Sequence, residues 1–253
     1  MKTLFKYMPY RDAFFSNFYL RCTPRSALND PFEMLPSKDY LIHHARKKHM
    51  PQSVIDNLLI NPAKPDFEFG DLKTIGIVSF SASRDNLLMW SHYADEHRGM
   101  VLELDATHSF FADNIRQHRY LRPVRYRQQR ITEKPPEKSD YESLLDLFFV
   151  KSRDWTYEQE HRLTCELCCC DDVLDKTTGE SLQAVPAGLI PYDPNRILRM
   201  LRVPTDAIVS VICGAMMPQE QKDRVKSSAD QHGFMYREAR IDHNEYRLGI
   251  LTF

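Results

Sequence analysis

The chain has 253 residues, with 34 lysines and arginines against 35 aspartates and glutamates, so its formal net charge is -1. A charge so close to zero gives no overall field that would draw the protein onto nucleic acid or an anionic membrane. Hydrophobic residues make up 42% of the chain, enough for a core, and no apolar run approaches the roughly 20 residues that span a bilayer. These values predict one soluble domain over residues 1–253 with no membrane partner. The stretch from Met1 to Tyr7 carries charges in place of an apolar segment, so no secretory signal is predicted and a cytoplasmic location is expected.

The N-terminal quarter predicts strands followed by helices. Short aromatic-rich strands are predicted at Leu4 to Tyr7 and at Asn17 to Cys22. The Asn29-Asp30-Pro31 run indicates a chain reversal, because Asn and Asp cap local amides and the residue before proline avoids the helical region. A helical region is predicted from Ser37 to Asn61, with Pro51 in the first turn of a second helix.

The centre of the chain predicts a strand, a helix and a second strand. Thr74 to Ser81 is a β-branched run that ends in small hydroxyl residues, as in a central strand. A helix is predicted through Leu88 to Tyr93, with an N-cap among Ser83 to Asp85 and a stop at Gly99. Met100 to Leu104 is then expected to return to the sheet.

The remaining chain predicts further alternation, which makes the fold class α+β. A proline-rich, charged stretch near 130–140 has too little apolar content to pack, and we expect a mobile insertion there. Trp155 to Leu167 alternates like a half-buried strand. The other predicted elements are a short strand at Val124 to Tyr126, an apolar helix at Tyr141 to Val150, a polar loop to Asn195, a strand at Ala207 to Cys213, a helix at Pro218 to His232 and a strand at Tyr246 to Phe253.

Two pairs of polar residues have the spacing of one strand face. Residues two apart in a strand point the same way, so Glu158 and Glu160 are expected side by side with Arg162. Such carboxylates can polarise different hydroxyls, or one can raise the pKa of the other. Ser79 and Ser81 likewise share a face, where their hydroxyls can donate to a ligand. A solvated strand face and a sheet edge leading into a capped helix are the structural alternatives.

The segment Trp90-Ser91-His92-Tyr93 places three ring side chains in one helical turn. Trp90 is expected in the core, whereas His92 and Tyr93 carry polar tips that need partners and are candidates for a cleft wall. The sequence contains no Gly-x-Ser-x-Gly nucleophile elbow and no dinucleotide or phosphate-loop glycine motif.

The cysteines do not predict a metal site. Cys165 and Cys168 could form half of a zinc site, but no second pair supplies the other ligands. We therefore expect reduced, structural thiols. The six are Cys22, Cys165, Cys168, Cys169, Cys170 and Cys213.

Several longer strings together resemble a bacterial family, domain of unknown function 2971. They are Lys6-Tyr7, Asn29-Asp30-Pro31-Phe32-Glu33, Ser79-Phe80-Ser81, Met89 to Ala94, His97, Gly99 and Trp155-x-Tyr157-Glu158-x-Glu160-x-Arg162. The resemblance spans most of the chain and by itself implies no chemistry.

The order of these strand-end residues also resembles the ADP-ribosyltransferase plan of a basic first strand, then Ser-x-Ser, then Glu-x-Glu. That resemblance implies a split, mostly antiparallel sheet with flanking helices, and a cleft that binds NAD as substrate without a dinucleotide glycine motif. It implies that Glu160 stabilises the oxocarbenium-like transition state while Glu158 orients the acceptor.

The same resemblance implies the cofactor-binding residues. Ser79 would help seat the nicotinamide ribose, Ser81 would brace the carboxylates, and Lys6 would meet a phosphate or ribose. Tyr7 or Tyr93 would stack on nicotinamide, with His92 in the wall.

The leading hypothesis is therefore an NAD-consuming ADP-ribosyltransferase-like enzyme that modifies a protein or nucleic acid, as a bacterial toxin or phage-defence effector, with an antitoxin or regulator as a further partner. Two alternatives stay open. One is a metal-dependent nuclease or hydrolase that uses Glu158, Glu160, Asp30 and His92. The other is a non-catalytic sensor module that recognises a nucleotide or a partner.

Overall fold

The structure, a computed structural model, describes residues 2–60, 74–132, 139–182 and 196–253. The predicted insertion near 130–140 lies largely outside these residues. The strands that they form are β1 Thr3–Met8, β2 Tyr19–Pro24, β3 Ile75–Ser81, β4 Met100–Asp105, β5 Tyr120–Pro123, β6 Arg125–Arg127, β7 Val150–Ser152, β8 Glu160–Glu166, β9 Asp172–Asp175, β10 Ile197–Arg202, β11 Ile208–Cys213, β12 Met235–Ile241 and β13 Leu248–Thr252. The α-helices are α1 Phe14–Asn17, α2 Lys38–Lys47, α3 Gln52–Ile60, α4 Leu87–Tyr93, α5 Asp140–Leu145 and α6 Gln219–His232.

Eleven of these strands form one mixed, mostly antiparallel sheet, which confirms the α+β class. Its main path runs β13-β12-β11-β4-β1-β3-β2-β10-β9, and β8 pairs with both β3 and β5. The parallel pair β11 and β12 is joined through α6. Strands β6 and β7 form a separate parallel ribbon.

Strand β3 organises the centre of the sheet. One edge of β3 pairs with β8 from Ile75 to Ser81. On the other edge β1 meets β3 at Phe5 and Ser81, while β2 meets it at Thr23 and Pro24. β1 and β2 thus pair with opposite ends of the same edge, and the carbonyl of Ser79, which lies between these ends, accepts a hydrogen bond from the Lys6 ammonium.

Both faces of the sheet are covered by apolar side chains. Neighbours along β1 point to opposite faces, so Leu4 joins one buried cluster and Phe5 joins another with Tyr7 and Trp90. A third cluster packs α2 and α3 against the N-terminal part of β3. Burial on both faces explains why β3 and β4 are nearly continuous apolar runs.

Several local predictions were wrong at element ends. Asn86, not a residue in Ser83 to Asp85, caps α4 by accepting from two backbone amides. Gly99 does not end this helix, which stops at Tyr93. A β-carbon at Gly99 would lie 2.4 Å from the carbonyl oxygen of Met8, so close backbone approach requires this glycine. The predicted apolar helix before β7 is α5 followed by a 3-10 helix at Asp146–Phe149.

Other strands had no counterpart among the predictions. These are β5, β7, β9, β10 and β12. No helix within the described residues is long and apolar enough to cross a membrane.

Candidate functional site

The antiparallel register of β3 and β8 brings the two predicted motifs together. Ser81 lies opposite Glu160, and Ser79 lies opposite Arg162. Directly paired residues share a face, so the serines, Glu160 and Arg162 point away from the side that buries Phe80. The strand pairing therefore places polar groups from both motifs beside Lys6 of β1.

Glu158 reaches this place by a different route from the one predicted. Arg153–Glu158 is a 3-10 helix, not a strand, and Gln159 adopts a left-handed conformation with φ 45°. The predicted strand face shared by Glu158 and Glu160 is therefore wrong, since β8 begins only at Glu160. The bend at Gln159 nevertheless turns both carboxylates toward one cation.

That cation is Lys151, a buried lysine of β7. Its ammonium lies 2.6 Å from Glu158 Oε2, 3.1 Å from Glu33 Oε1 and 3.5 Å from Glu160 Oε2. The three carboxylates oppose the effect of burial and raise the pKa of Lys151 above its ordinary value. Lys151 is therefore a fixed positive charge.

Arg162 is the second buried cation. Its Nε donates to Glu160 Oε1 at 2.8 Å and its Nη2 donates to Oε2 at 2.9 Å, so the pair is bidentate. Arg162 also binds Glu33 and donates to the backbone carbonyl of Phe148 at 2.8 Å. Glu33 thus bridges the two cations, and we call Glu33, Lys151, Glu158, Glu160 and Arg162 the buried ion network.

The two predicted catalytic carboxylates differ in acidity. Burial would raise the pKa of Glu160, but the charges of Arg162 and Lys151 and hydrogen bonds from Arg162 and Ser79 lower it to about 2. Burial raises the pKa of Glu158, against the charge of Lys151. Glu160 is therefore ionised at every pH at which the protein would work.

Lys6 differs from Lys151 although both line the same space. Its ammonium donates to the backbone carbonyl of Ser79 at 2.9 Å, and no carboxylate of the described residues lies in ion-pair distance. Burial lowers the pKa of Lys6 to about 8, and the charge of Glu160 opposes this only in part.

Ser81 and Tyr7 hold the site in shape. Ser81 is fully buried, and its hydroxyl donates to the carbonyl of Glu158 at 2.6 Å and accepts from the amide of Ser83. The Tyr7 hydroxyl donates to the carbonyl of Ser83 at 2.9 Å, and its ring packs edge-on against Trp90. Trp90 is fully buried in the core, as expected.

Tyr93 and His92 lie in different places although they are adjacent in α4. The Tyr93 hydroxyl donates to Glu158 Oε1 at 2.6 Å, and burial followed by this carboxylate raises its pKa. His92 is exposed, and its Nδ1 lies 3.0 Å from the hydroxyl of Tyr157. Tyr93 therefore contacts the buried ion network through Glu158, while His92 does not contact it.

Two adjoining depressions follow from this arrangement. The small cleft has a volume of about 90 Å³, and its wall includes Lys6, Ser79, Ser81, Tyr93, Glu158 and Glu160. The large cleft has a volume of about 740 Å³, and its wall includes Asp30, Phe32, His92, Arg127, Arg130 and Trp155. Asn29 and Lys151 line both, so the two clefts meet at these residues.

The large cleft combines aromatic and cationic groups. Arg130 stacks 4.8 Å from the ring of Phe32, and Lys151 lies 4.6 Å from the ring of Trp155. Asp30 is buried, with Oδ1 accepting from the amide of Phe32 at 2.8 Å and Oδ2 unpaired. Such a surface suits a ligand with a planar ring and anionic groups.

Within the described part of the chain, no group of three or more His, Cys, Asp or Glu residues is arranged to hold a metal. All six cysteines are free thiols. Glu158 and Glu160 are bound to cations, and Asp30 and His92 line the other cleft.

Sequence reasoning missed Lys151 and did not assign a role to Glu33. Lys151 follows a buried apolar run, Leu147 to Phe149, but lysine is usually exposed, so the sequence carried no clear signal that this one is buried. Glu33 closes the Asn-Asp-Pro-Phe-Glu string that carries the family resemblance.

Residues 89–163 match the model of a family described as a protein of unknown function, DUF2971. This match supports the DUF2971 resemblance. The matched segment contains Lys151, Glu158, Glu160 and Arg162, four of the five members of the buried ion network, together with Tyr93. Comparisons with curated proteins and with solved structures gave no match.

Proposed function

We propose that this chain is an NAD-consuming, ADP-ribosyltransferase-like enzyme whose reacting centre is the small cleft. The observation that carries the proposal is convergence. Lys6 of β1, Ser79 of β3 and Glu160 of β8 line one cleft with Tyr93, although they are far apart in sequence. The basic residue, the Ser-x-Ser pair and the second carboxylate of Glu-x-Glu thus lie on neighbouring strands, and Glu158 lies just before the last of them.

Glu160 has the charge that the proposed reaction needs. As the bond between ribose and nicotinamide breaks, its electron pair goes to the nicotinamide nitrogen and positive charge develops on the ribose. A carboxylate with a pKa of about 2 keeps a full negative charge beside that cation. Arg162 and Lys151 fix the orientation of Glu160 and leave an acceptor position for Ser79 or a ribose hydroxyl.

Glu158 is proposed to orient the acceptor. Its Oε1 accepts from Tyr93, and its Oε2 binds Lys151, so the carboxylate is held at the junction of the two clefts. The acceptor atom would form its bond to the ribose carbon that nicotinamide leaves.

The two clefts offer a place for each half of NAD. The small cleft, at about 90 Å³, is on the scale of a single ring, so the proposal requires it to widen when it seats nicotinamide and its ribose. The large cleft lies in the range of about 300–1,000 Å³ that is usual for ligand pockets. Its aromatic rings and the arginines Arg127 and Arg130 suit the adenine and phosphates.

The proposal includes a macromolecular acceptor, either protein or nucleic acid. It also includes the role of a toxin or phage-defence effector held in check by an antitoxin or regulator. These parts rest on how such folds are used, and the acceptor remains to be found by labelling.

A binding module without catalysis is the second candidate. One observation favours it: each carboxylate of the ion network already has a buried cation as partner, as in a structural cluster. A metal-dependent hydrolase is less favoured, because those same cations occupy the carboxylates that would bind the metal.

The test is release of nicotinamide from NAD by purified protein, with and without cell lysate. Glu160→Gln is expected to lower the rate at least about 100-fold, since a preorganised transition-state charge is lost. Glu166→Gln is the matched control, because Glu166 ends the same strand, outside both clefts. Circular dichroism and urea unfolding would show that both variants fold.

The outcomes separate the candidates. Turnover that is lost in Glu160→Gln and kept in Glu166→Gln supports the enzyme. NAD that raises the melting temperature without being consumed favours the binding module. Absence of both turnover and stabilisation contradicts the NAD assignment.

A further inference from the structure

The small cleft and its junction with the large cleft hold two lysines with opposite environments. Lys151 is surrounded by Glu33, Glu158 and Glu160 and stays charged. Lys6 donates to a neutral backbone carbonyl, that of Ser79. A lysine that lacks a direct counter-ion in a desolvated site loses its proton more easily than one in water.

The groups around Lys6 determine its pKa and therefore its fraction of uncharged amine. Burial lowers its pKa to about 8, Glu160 raises it and Arg11 lowers it further. With a pKa of about 8, part of Lys6 is an uncharged amine near neutral pH, whereas an ordinary lysine is almost entirely charged there. The other charged or titratable groups in the cleft wall are Tyr7, Glu33, Tyr93, Lys151, Glu158 and Arg162.

The carboxylates of the cleft are poorer proton acceptors. Glu160, with a pKa of about 2, is too weak a base near neutral pH. Burial raises the pKa of Glu158, but the Lys151 ammonium and the Tyr93 hydroxyl both bind its ionised form, so protonation of Glu158 would weaken these two contacts. Lys6 has a lone pair to offer once it is neutral.

We propose that Lys6, as the free amine, accepts the proton of the nucleophile that attacks the ribose in the small cleft. The inference rests on the proposed function and changes the role of Lys6 from phosphate or ribose contact to proton acceptor. The nucleophile's oxygen or nitrogen bonds to the ribose carbon, and nicotinamide leaves with the electron pair of the broken bond. The nucleophile's proton passes to the Lys6 amine, which becomes ammonium and later releases it to solvent.

The test uses water as nucleophile, so no macromolecular acceptor is needed. Nicotinamide release from NAD would be followed from pH 6 to pH 10 for wild type, Lys6→Arg, Lys6→Ala and Glu158→Gln. For wild type, kcat/KM is expected to rise with unit slope and level off near pH 8. Lys6→Arg is expected to lose about 100-fold at pH 7.5 and to lack this rise, because arginine stays protonated.

Chemical rescue separates proton transfer from a structural role. Small primary amines are expected to restore part of the activity of Lys6→Ala, with rates that depend on the pKa of the amine. A merely structural lysine would show no such dependence. Circular dichroism of each variant confirms that the fold is kept.

Each outcome supports or overturns the assignment. If wild type turns over NAD and Lys6→Arg shows the same pH profile, the role of Lys6 is overturned while the proposed function stands. The same holds if no amine rescues Lys6→Ala. A rise near pH 8 that disappears only in Glu158→Gln assigns the proton to Glu158 and also overturns the role of Lys6. If wild type consumes no NAD at any pH, the proposed function and this inference fall together.

Discussion

Lys6 and Lys151 line the same small cleft and have the same side chain, yet their surroundings differ. Lys151 has three carboxylate neighbours, which keep it charged despite burial. The Lys6 ammonium donates to a backbone carbonyl, and burial lowers its pKa. The presence of carboxylate partners, more than the extent of burial, therefore decides which lysine stays charged and which can exchange a proton.

The carboxylates of the site lie on the Lys151 side of this contrast. Glu158 and Glu160 contact Lys151 and Arg162 in the buried ion network, which holds these carboxylate side chains in place. In the proposed function the Lys151 side provides a constant field for the transition state, and the Lys6 side provides the group whose charge changes. Substitutions at the two lysines should therefore have different effects on the free energy of unfolding.

The largest expected effect is that of Lys151→Met. Removing this ammonium leaves Glu33, Glu158 and Glu160 with only Arg162 as buried cation, which costs about 3–5 kcal/mol of the free energy of unfolding at pH 7. Urea denaturation measures the loss. Lys6→Met is the matched control and should lose little or become more stable. A loss below about 1 kcal/mol for Lys151→Met would show that the network is not a stabilising unit.

The pH dependence of Lys6→Met sharpens the comparison. The folded pKa of Lys6, about 8, lies below the ordinary 10.5, so between these values the unfolded chain binds more protons. Stability contributed by wild-type Lys6 therefore rises with pH, and its charging cost is fully present below pH 8. The free energy of unfolding of wild type minus that of Lys6→Met is expected to rise by roughly 2–3 kcal/mol from pH 7 to pH 10. A difference independent of pH would contradict the lowered pKa.

A smaller effect is expected for Ser81→Ala. Loss of the Ser81 hydroxyl removes the hydrogen bonds that it makes to the carbonyl of Glu158 and the amide of Ser83. This costs about 1–2 kcal/mol of the free energy of unfolding. Ser83→Ala is the control, since the Ser83 hydroxyl bonds to exposed Asp85 and its loss should cost below about 0.5 kcal/mol. Thermal unfolding of both variants checks this. Equal effects would mean that Ser81 does not hold the bend before β8.

Elements with a clear hydrophobic period were predictable. The strands β3 and β4 follow their expected bounds within about two residues, because apolar runs are local signals. The bounds of the polar helix α6 were also predicted within about two residues. Strands β9 and β10 were missed because they pair at the sheet edge, where partial exposure weakens the pattern.

The site was only partly predictable. The Ser-x-Ser spacing identified Ser79 and Ser81, but the turn at Gln159 is not visible in an alternating pattern, since a non-glycine residue rarely takes positive φ. Glu33 and Lys151 are more than 100 positions apart, and one sequence gives no sign that they meet. Long-range pairing created the ion network, whereas local spacing indicated only some of its members.

The most direct test of the difference between the two lysines is NMR of protein labelled with ¹³C at the lysine ε-carbons, titrated from pH 6 to pH 11. The Lys6→Arg spectrum would identify the Lys6 signal, and the signal of Lys151 would be assigned from a charge-preserving Lys151→Arg variant. Lys6 is expected to titrate near pH 8, while Lys151 is expected to stay protonated beyond the ordinary lysine value of 10.5. Titration of Lys6 at 10.5 or above would contradict this expectation.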